Sequence, residues 1–98
     1  MKFLFQMDDP MNINIFEDST YMLIKDSMSR GIECFYNDPN WVYADINQKN
    51  KIMSQLYKLT LKDDGKLTYD KKDIRVLNLE NFNAIFIRQD PPYDMKYI

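Results

Sequence analysis

Arg88, Asp90 and Asp94 bracket a diproline in Arg88-Gln89-Asp90-Pro91-Pro92-Tyr93-Asp94, directly after the apolar run Ile85-Phe86-Ile87. Each proline fixes its own φ and excludes the residue before it from the helical region. Asp90 and Pro91 are therefore both extended, and the backbone is stiff where the guanidinium and the first carboxylate leave the strand. In open α/β sheets ligands bind outside the carboxyl ends of the strands. A cation and two carboxylates held rigidly at such an end make a polar site for a charged small molecule. The alternative is a stiff surface loop with an ion pair worth ~0–1 kcal/mol.

A second polar group precedes a helical pattern. Asp18, Ser19 and Thr20 are N-cap types, and the stretch from there to residue 30 places Met22, Leu23, Ile24 and Met28 on an apolar face. A helix N-terminus offers free N–H groups and the positive end of the dipole. A carboxylate or phosphate is its expected tenant, with Arg88 as a second charge-assisted anchor. Asp18 and Ser19 are expected first of all to cap the helix, since either side chain satisfies an orphan N–H for ~1 kcal/mol.

Several chemistries are excluded by composition. The chain has no histidine and one cysteine, Cys34. An internal disulfide, a Ser-His-Asp triad, a Cys-His nucleophile and a zinc site of usual composition cannot be assembled. Cys34 lies in an apolar stretch and reads as a small core residue. A net charge of -2, from 13 basic and 15 acidic residues interspersed along 98, supplies no field to gather phosphates, so neither nucleic acid nor an anionic membrane is an expected partner. No apolar run approaches the ~20 residues a bilayer needs, and the opening run meets Gln6 and Asp8 too early for a signal peptide, so a cytoplasmic protein is expected. With two glycines in all, the chain has no glycine-rich phosphate cradle.

The elements that must position the polar groups are read from periodicity. Residues 2–7 form an almost unbroken apolar strand of the kind covered on both faces. It ends at Asp8-Asp9-Pro10, and residues 11–16 read as an ordered loop. The helix stops at Gly31, with Arg30 in its last turn suiting the dipole. Residues 32–36 are a second strand, giving a right-handed β-α-β unit. Beyond it the chain favours extended antiparallel structure: 41–43, then 51–62, in which Met53, Gln55, Tyr57, Leu59 and Leu61 share one face and a wet face carries Ser54, Lys58, Thr60 and Lys62. Asp63-Asp64-Gly65-Lys66 turns the chain into a hairpin with 67–69. The lysines of this insertion read as solvated protection of a sheet edge. Residues 77–82 read as a turn or single helical turn, and 83–87 as a second buried parallel strand. The ends at Asp8-Asp9-Pro10 and Arg88-Gln89-Asp90 then open on one edge of the sheet, beside the N-terminus of the helix.

Three segments in this order, Met7-Asp8-Asp9-Pro10, Ile13-Asn14-Ile15 running into Asp18-Ser19-Thr20, and Arg88-Gln89-Asp90-Pro91-Pro92-Tyr93-Asp94-Met95-Lys96-Tyr97, resemble the N-terminal domain of prokaryotic glutathione synthetases. The resemblance spans the chain; between residues 37 and 77 it is one of length and layout only. It implies an α/β fold: a Rossmann-like pre-ATP-grasp domain, a parallel sheet with a β-α-β start and an inserted antiparallel β-meander. Residues 1–98 would be a single N-terminal, substrate-side domain with the ATP-grasp domain absent. The family activity implied is glutathione biosynthesis by an ATP-grasp ligase that joins γ-glutamylcysteine to glycine, using ATP and magnesium to activate the dipeptide carboxylate as an acyl phosphate. No catalytic, nucleotide or metal residue is implied within these 98 residues, so the chain alone is expected to be inactive. Implied partners are the two substrates, the ATP-grasp domain and further copies in a homo-oligomeric full enzyme. Carried over by position, Arg88, Asp90 and Asp94, with Asn14, Asp18, Ser19 and Thr20, are the implied substrate-side residues. The chain departs from the family pattern in its doubled acid before Pro10 and in Gln89, where lysine is common.

Two other readings compete. A receiver-like signalling domain would use paired acids after the first strand, but it needs a five-fold β-α repeat and only one long helix is evident. A stand-alone interaction module without catalysis would use an exposed face to bind another protein.

Overall fold

The computed structural model describes residues 1–12 and 19–88. The first strand, β1 (Lys2–Gln6), carries bulky apolar side chains to both sides, and both sides are used. Phe5 and Met7 enter the core beneath the helix, whereas Leu4 enters a second cluster on the opposite face with Phe35 and Leu56. After a short 3-10 turn at Pro10–Asn12, helix α1 (Ser19–Ser29) crosses the first of these faces.

The buried stripe of α1 is Thr20, Tyr21, Ile24 and Ser27, and Met22 is 58% exposed. Of the expected apolar face, Ile24 is fully buried and Leu23 and Met28 pack against the core; only Met22 is turned outward. Thr20, Ile24 and Ser27 follow the i, i+4, i+7 spacing of a packed stripe, but two of the three are hydroxyl residues, which hydropathy alone assigns to solvent. Burial is tolerated because the hydroxyls are bonded: Ser27 Oγ donates to Leu23 O at 2.8 Å. The helix stops as expected. Gly31, at φ +79°, donates to Met28 O and Ile32 donates to Ser27 O, a Schellman closure that requires a left-handed residue at Gly31.

Strand β2 (Glu33–Asn37) lies parallel to β1, with Phe5 opposite Tyr36, which completes the β-α-β unit. Next come β3 (Val42–Asp45), β4 (Lys51–Lys58), the hairpin of β5 (Thr60–Leu61) and β6 (Leu67–Thr68), β7 (Arg75–Asn78) and β8 (Ala84–Ile87). The main sheet has six strands in the order β3-β4-β2-β1-β8, with β7 also bonded to β4; β5 and β6 form a separate pair. Among the described residues only β1, β2 and β8 run parallel; β4 is antiparallel to β2, β3 and β7. An antiparallel insertion in a β-α-β frame is therefore the architecture, as expected of a pre-ATP-grasp domain. It is more than a simple meander, because β7 returns past the hairpin to pair with β4.

Two expectations fail for one reason. Strand β4 has no wet face: Tyr57 joins the core under α1, while Ser54 and Leu56 are fully buried on the other side. It is a central strand, closed on that side by Leu77, Leu79 and Phe82. Conversely β8, expected to be buried, is an edge strand among the described residues, with Ile85 42% and Ile87 71% exposed. Strand position in the sheet, which local alternation does not encode, decides both. Among the described residues no helix is long and apolar enough to cross a membrane.

Candidate functional site

Three chain segments meet at the carboxyl end of the parallel strands. Arg88, leaving β8, donates its backbone N–H to Gln6 O at the end of β1, at 2.8 Å. Its guanidinium then reaches the first turn of α1: Nε donates to Thr20 Oγ1 at 3.1 Å and Nη2 to Ser19 Oγ at 2.9 Å. Stacking of Phe86 on Phe5, with ring centroids 5.0 Å apart, holds β8 in register with β1 and so sets where Arg88 emerges.

Among the described residues both partners of the guanidinium are neutral hydroxyls. They fix its plane without cancelling its charge, so a full positive charge stands at the positive end of α1. Arginine has five N–H donors in a fixed fork, and two directed bonds leave others to face a carboxylate or phosphate. The location matches the topology. Helix α1 carries the chain from β1 to β2 on one side, while β8 flanks β1 on the other, so Arg88 stands outside the carboxyl ends of adjacent parallel strands, where α/β sheets bind ligands.

The expected convergence of the β8 exit, the β1 end and the helix N-terminus is present in this structure. Ser19 differs in detail: it is the first residue of α1, and its hydroxyl accepts from Arg88 where a capping role was expected. Thr20 is buried and has a further interaction besides Arg88. Asn14, Asp18, Asp90 and Asp94 lie outside the described residues.

The acidic turn after β1 is tied into the fold. Asp9 Oδ1 accepts from Met11 N at 3.0 Å, and Pro10 is fully buried. Tyr69, from the segment after the β5–β6 hairpin, lies beside Asp9; burial first, then the Asp9 carboxylate, pushes its phenol up to about 12. Burial likewise raises the phenol of Tyr36, whose ring packs at 5.2 Å from that of Tyr69 and 5.4 Å from that of Trp41. These aromatics form a neutral buttress under the turn, and Asp9 is engaged in holding it. The hairpin is anchored in turn by Tyr21 of α1, whose hydroxyl donates to Gly65 O at 2.6 Å. The sequence marks the Asp9 turn and the Gly65 turn but not the roles of Tyr21, Tyr36 and Tyr69, because each of these tyrosines acts through a partner from a distant segment.

At the same end of the sheet, fully buried Asn37 donates from Nδ2 to Ser54 Oγ at 3.0 Å. Among the described residues its Oδ1 has no hydrogen-bond partner. Cys34 is buried in the core as expected, and burial pushes its thiol up to about 11, which keeps it a neutral packing group.

The described residues do not fit a nucleotide and its magnesium. Among them no three His, Cys, Asp or Glu side chains are grouped to hold a metal ion. Gly31 ends α1 and Gly65 turns the hairpin, so neither cradles a phosphate.

The sequence profile described as prokaryotic glutathione synthetase, N-terminal domain, matches residues 1–98. Glutathione synthetase of Vibrio parahaemolyticus is 30% identical over 92 residues, which is 94% of this chain and 28% of that protein. The glutathione synthetases of Ralstonia nicotianae and Brucella melitensis are 29% and 30% identical, each over 100% of this chain and 29% and 30% of their own lengths. The chain thus spans under a third of the curated relatives it matches.

Proposed function

The chain belongs to the family of prokaryotic glutathione synthetase N-terminal domains, and on that premise we propose that it is the substrate-side domain of an ATP-dependent ligase joining γ-glutamylcysteine to glycine. Residues 1–98 bind and orient substrate and pack against an ATP-grasp portion, which holds the ATP and magnesium that activate the dipeptide carboxylate. The full enzyme is a homo-oligomer, and the 98-residue chain has no ligase activity alone.

One observation carries the reading: a guanidinium held by two neutral hydroxyls at the N-terminus of α1, outside the carboxyl ends of β1 and β8. This arrangement suits a substrate carboxylate. Arg88 supplies the charge, Ser19 and Thr20 hold its plane, and the dipole of α1 adds to the attraction. Orientation is the chain's own contribution: a carboxylate gripped by a fixed fork presents the rest of the dipeptide in one direction. Asp90, Asp94, Asn14 and Asp18 complete the polar lining in this proposal.

Calorimetric titration with γ-glutamylcysteine, comparing wild type with Arg88→Ala and Arg88→Lys, tests it. Loss of a charge-assisted contact of about 1.5–3 kcal/mol weakens binding roughly 10- to 100-fold in Arg88→Ala, with Arg88→Lys between. Equal heats for wild type and Arg88→Ala remove Arg88 from the ligand site.

A further inference from the structure

We infer that the β5–β6 hairpin is a brace for the Arg88 site: one stiff turn holds both the chain leaving β1 and the first turn of α1, and the hydroxyls of Ser19 and Thr20 meet the guanidinium only while it does. The inference rests on the substrate reading for its purpose. It makes Tyr21 and Gly65 positioning residues, which act on a ligand through Ser19, Thr20 and Arg88.

The first observation is where the hairpin touches. On the β1 side, β6 lies against the 3-10 turn at Pro10–Asn12, and Tyr69, which follows β6, stands beside Asp9. On the other side the Tyr21 hydroxyl, from the first turn of α1, donates to Gly65 O at 2.6 Å. Both described ends of the connection between β1 and α1 are thus fixed to one piece. That piece is stiff. Lys62 N donates to Lys66 O at 2.8 Å, Gly65 N to Lys62 O at 2.9 Å and Lys66 N to Asp64 Oδ1 at 3.0 Å, so the residues on either side of the Gly65 carbonyl are held by bonds within the turn itself. The base is fixed as well: Leu67 is buried in the core that contains Met7 and Tyr21, and Leu59 N donates to Cys34 O at 2.8 Å.

The second observation is leverage. Ser19, Thr20 and Tyr21 are consecutive, so they leave one helical turn about 100° apart and any rotation of that turn carries all three. The phenol oxygen of a tyrosine stands roughly twice as far from the helix axis as the hydroxyl of a serine or threonine, so pinning the long arm fixes the short ones. A rotation of about 15° moves a hydroxyl roughly 4 Å from the axis by about 1 Å, enough to take the bonds of 3.1 and 2.9 Å to Arg88 out of hydrogen-bonding range. The third observation is steric. Gly31 and Gly65 both have a left-handed φ, +79° and +86°. A Cβ at Gly31 would meet nothing within 4 Å, whereas one at Gly65 would stand 3.3 Å from the Tyr21 hydroxyl. The turn and the phenol approach so closely that a methyl group between them displaces Tyr21.

The test compares Tyr21→Phe and Gly65→Ala with Gly31→Ala, which carries the same left-handed strain at the far end of α1 without approaching Tyr21. Two quantities are read on each chain: the NMR order parameter of Arg88 Nε–Hε, assigned by the loss of its resonance in Arg88→Lys, and the calorimetric affinity for γ-glutamylcysteine. Tyr21→Phe and Gly65→Ala are expected to lower the order parameter by at least about 0.2 and to weaken binding about three- to tenfold, with native-like circular dichroism, while Gly31→Ala leaves both at wild-type values. Tyr21→Phe keeps the ring in the core and decides the question by itself if Gly65→Ala does not fold. An unchanged order parameter in Tyr21→Phe overturns the inference. So does an equal fall in Gly31→Ala, which assigns the effect to general stability, and so does a lowered order parameter with undiminished affinity. No heat from the wild type with the dipeptide defeats the substrate reading instead, and the order parameters then decide alone whether the hairpin holds Arg88.

Discussion

Breaking the contact between Arg88 and Thr20 is the most direct probe of how the site is built. The two residues are 68 positions apart and bonded at 3.1 Å, so the contact exists only if β8, β1 and α1 converge as described. Thr20→Val removes the acceptor while keeping the shape of a side chain only 6% exposed. Thr20 has another interaction as well, so the single substitution overstates the contact and a double-mutant cycle with Arg88→Ala is needed. A hydrogen bond to a charged donor contributes about 1.5–3 kcal/mol when fully desolvated. Arg88 is exposed, and water competes for its guanidinium, which brings the coupling down to roughly 0.5–1 kcal/mol. The same cycle with Ser19→Ala gives a smaller coupling, because Ser19 is exposed where Thr20 is buried. Urea unfolding of the wild type, the single variants and the double variants measures both values. A Thr20–Arg88 coupling within about 0.3 kcal/mol of zero, or one smaller than the Ser19 coupling, refutes the claim that α1 holds the guanidinium in place.

Stability falls at alkaline pH, for a reason the core makes specific. The unfolded chain releases the Cys34 proton near its ordinary pKa of 9.0, whereas the buried thiol holds it to about 11, so above pH 9 the folded state binds more protons. The contribution is intact below that pH and is lost as pH rises towards 11, with a ceiling of roughly 3 kcal/mol from the thiol; buried Tyr36 and Tyr69 act in the same direction. Unfolding free energies at pH 8 and pH 10.5 decline less for Cys34→Ala than for wild type, and equal declines contradict the assignment. Ser54→Ala strips the hydroxyl partner from buried Asn37 Nδ2 and costs about 1–3 kcal/mol, read as a lower urea midpoint; an unchanged midpoint shows that the pair adds nothing. Tyr21→Phe removes the bond to Gly65 O and costs about 0.5–1.5 kcal/mol, with faster hydrogen exchange confined to β5 and β6. Exchange unchanged in the hairpin argues that its docking does not depend on that hydroxyl.

What the sequence determined by itself was local. The β-α-β start, the stop at Gly31, the turn at Gly65 and the hairpin after it follow from residues within a few positions of one another, through steric limits and hydrogen bonds that need no distant partner. The polar ends after β1 and β8 were legible for the same reason, since acid, arginine and proline punctuate apolar runs. Tertiary structure alone decided which strand is central and which is an edge. Ser54 and Leu56 are buried because β4 is bonded to three other strands and capped by Phe82, and Ile87 is exposed because β8, among the described residues, has a neighbour on one side only. It also chose the partners of Arg88. The fold brings two hydroxyls, 68 and 69 residues away in the sequence, within reach of its guanidinium. Burial and long-range hydrogen bonds depend on the sum of the packing, and no window of the sequence contains that sum.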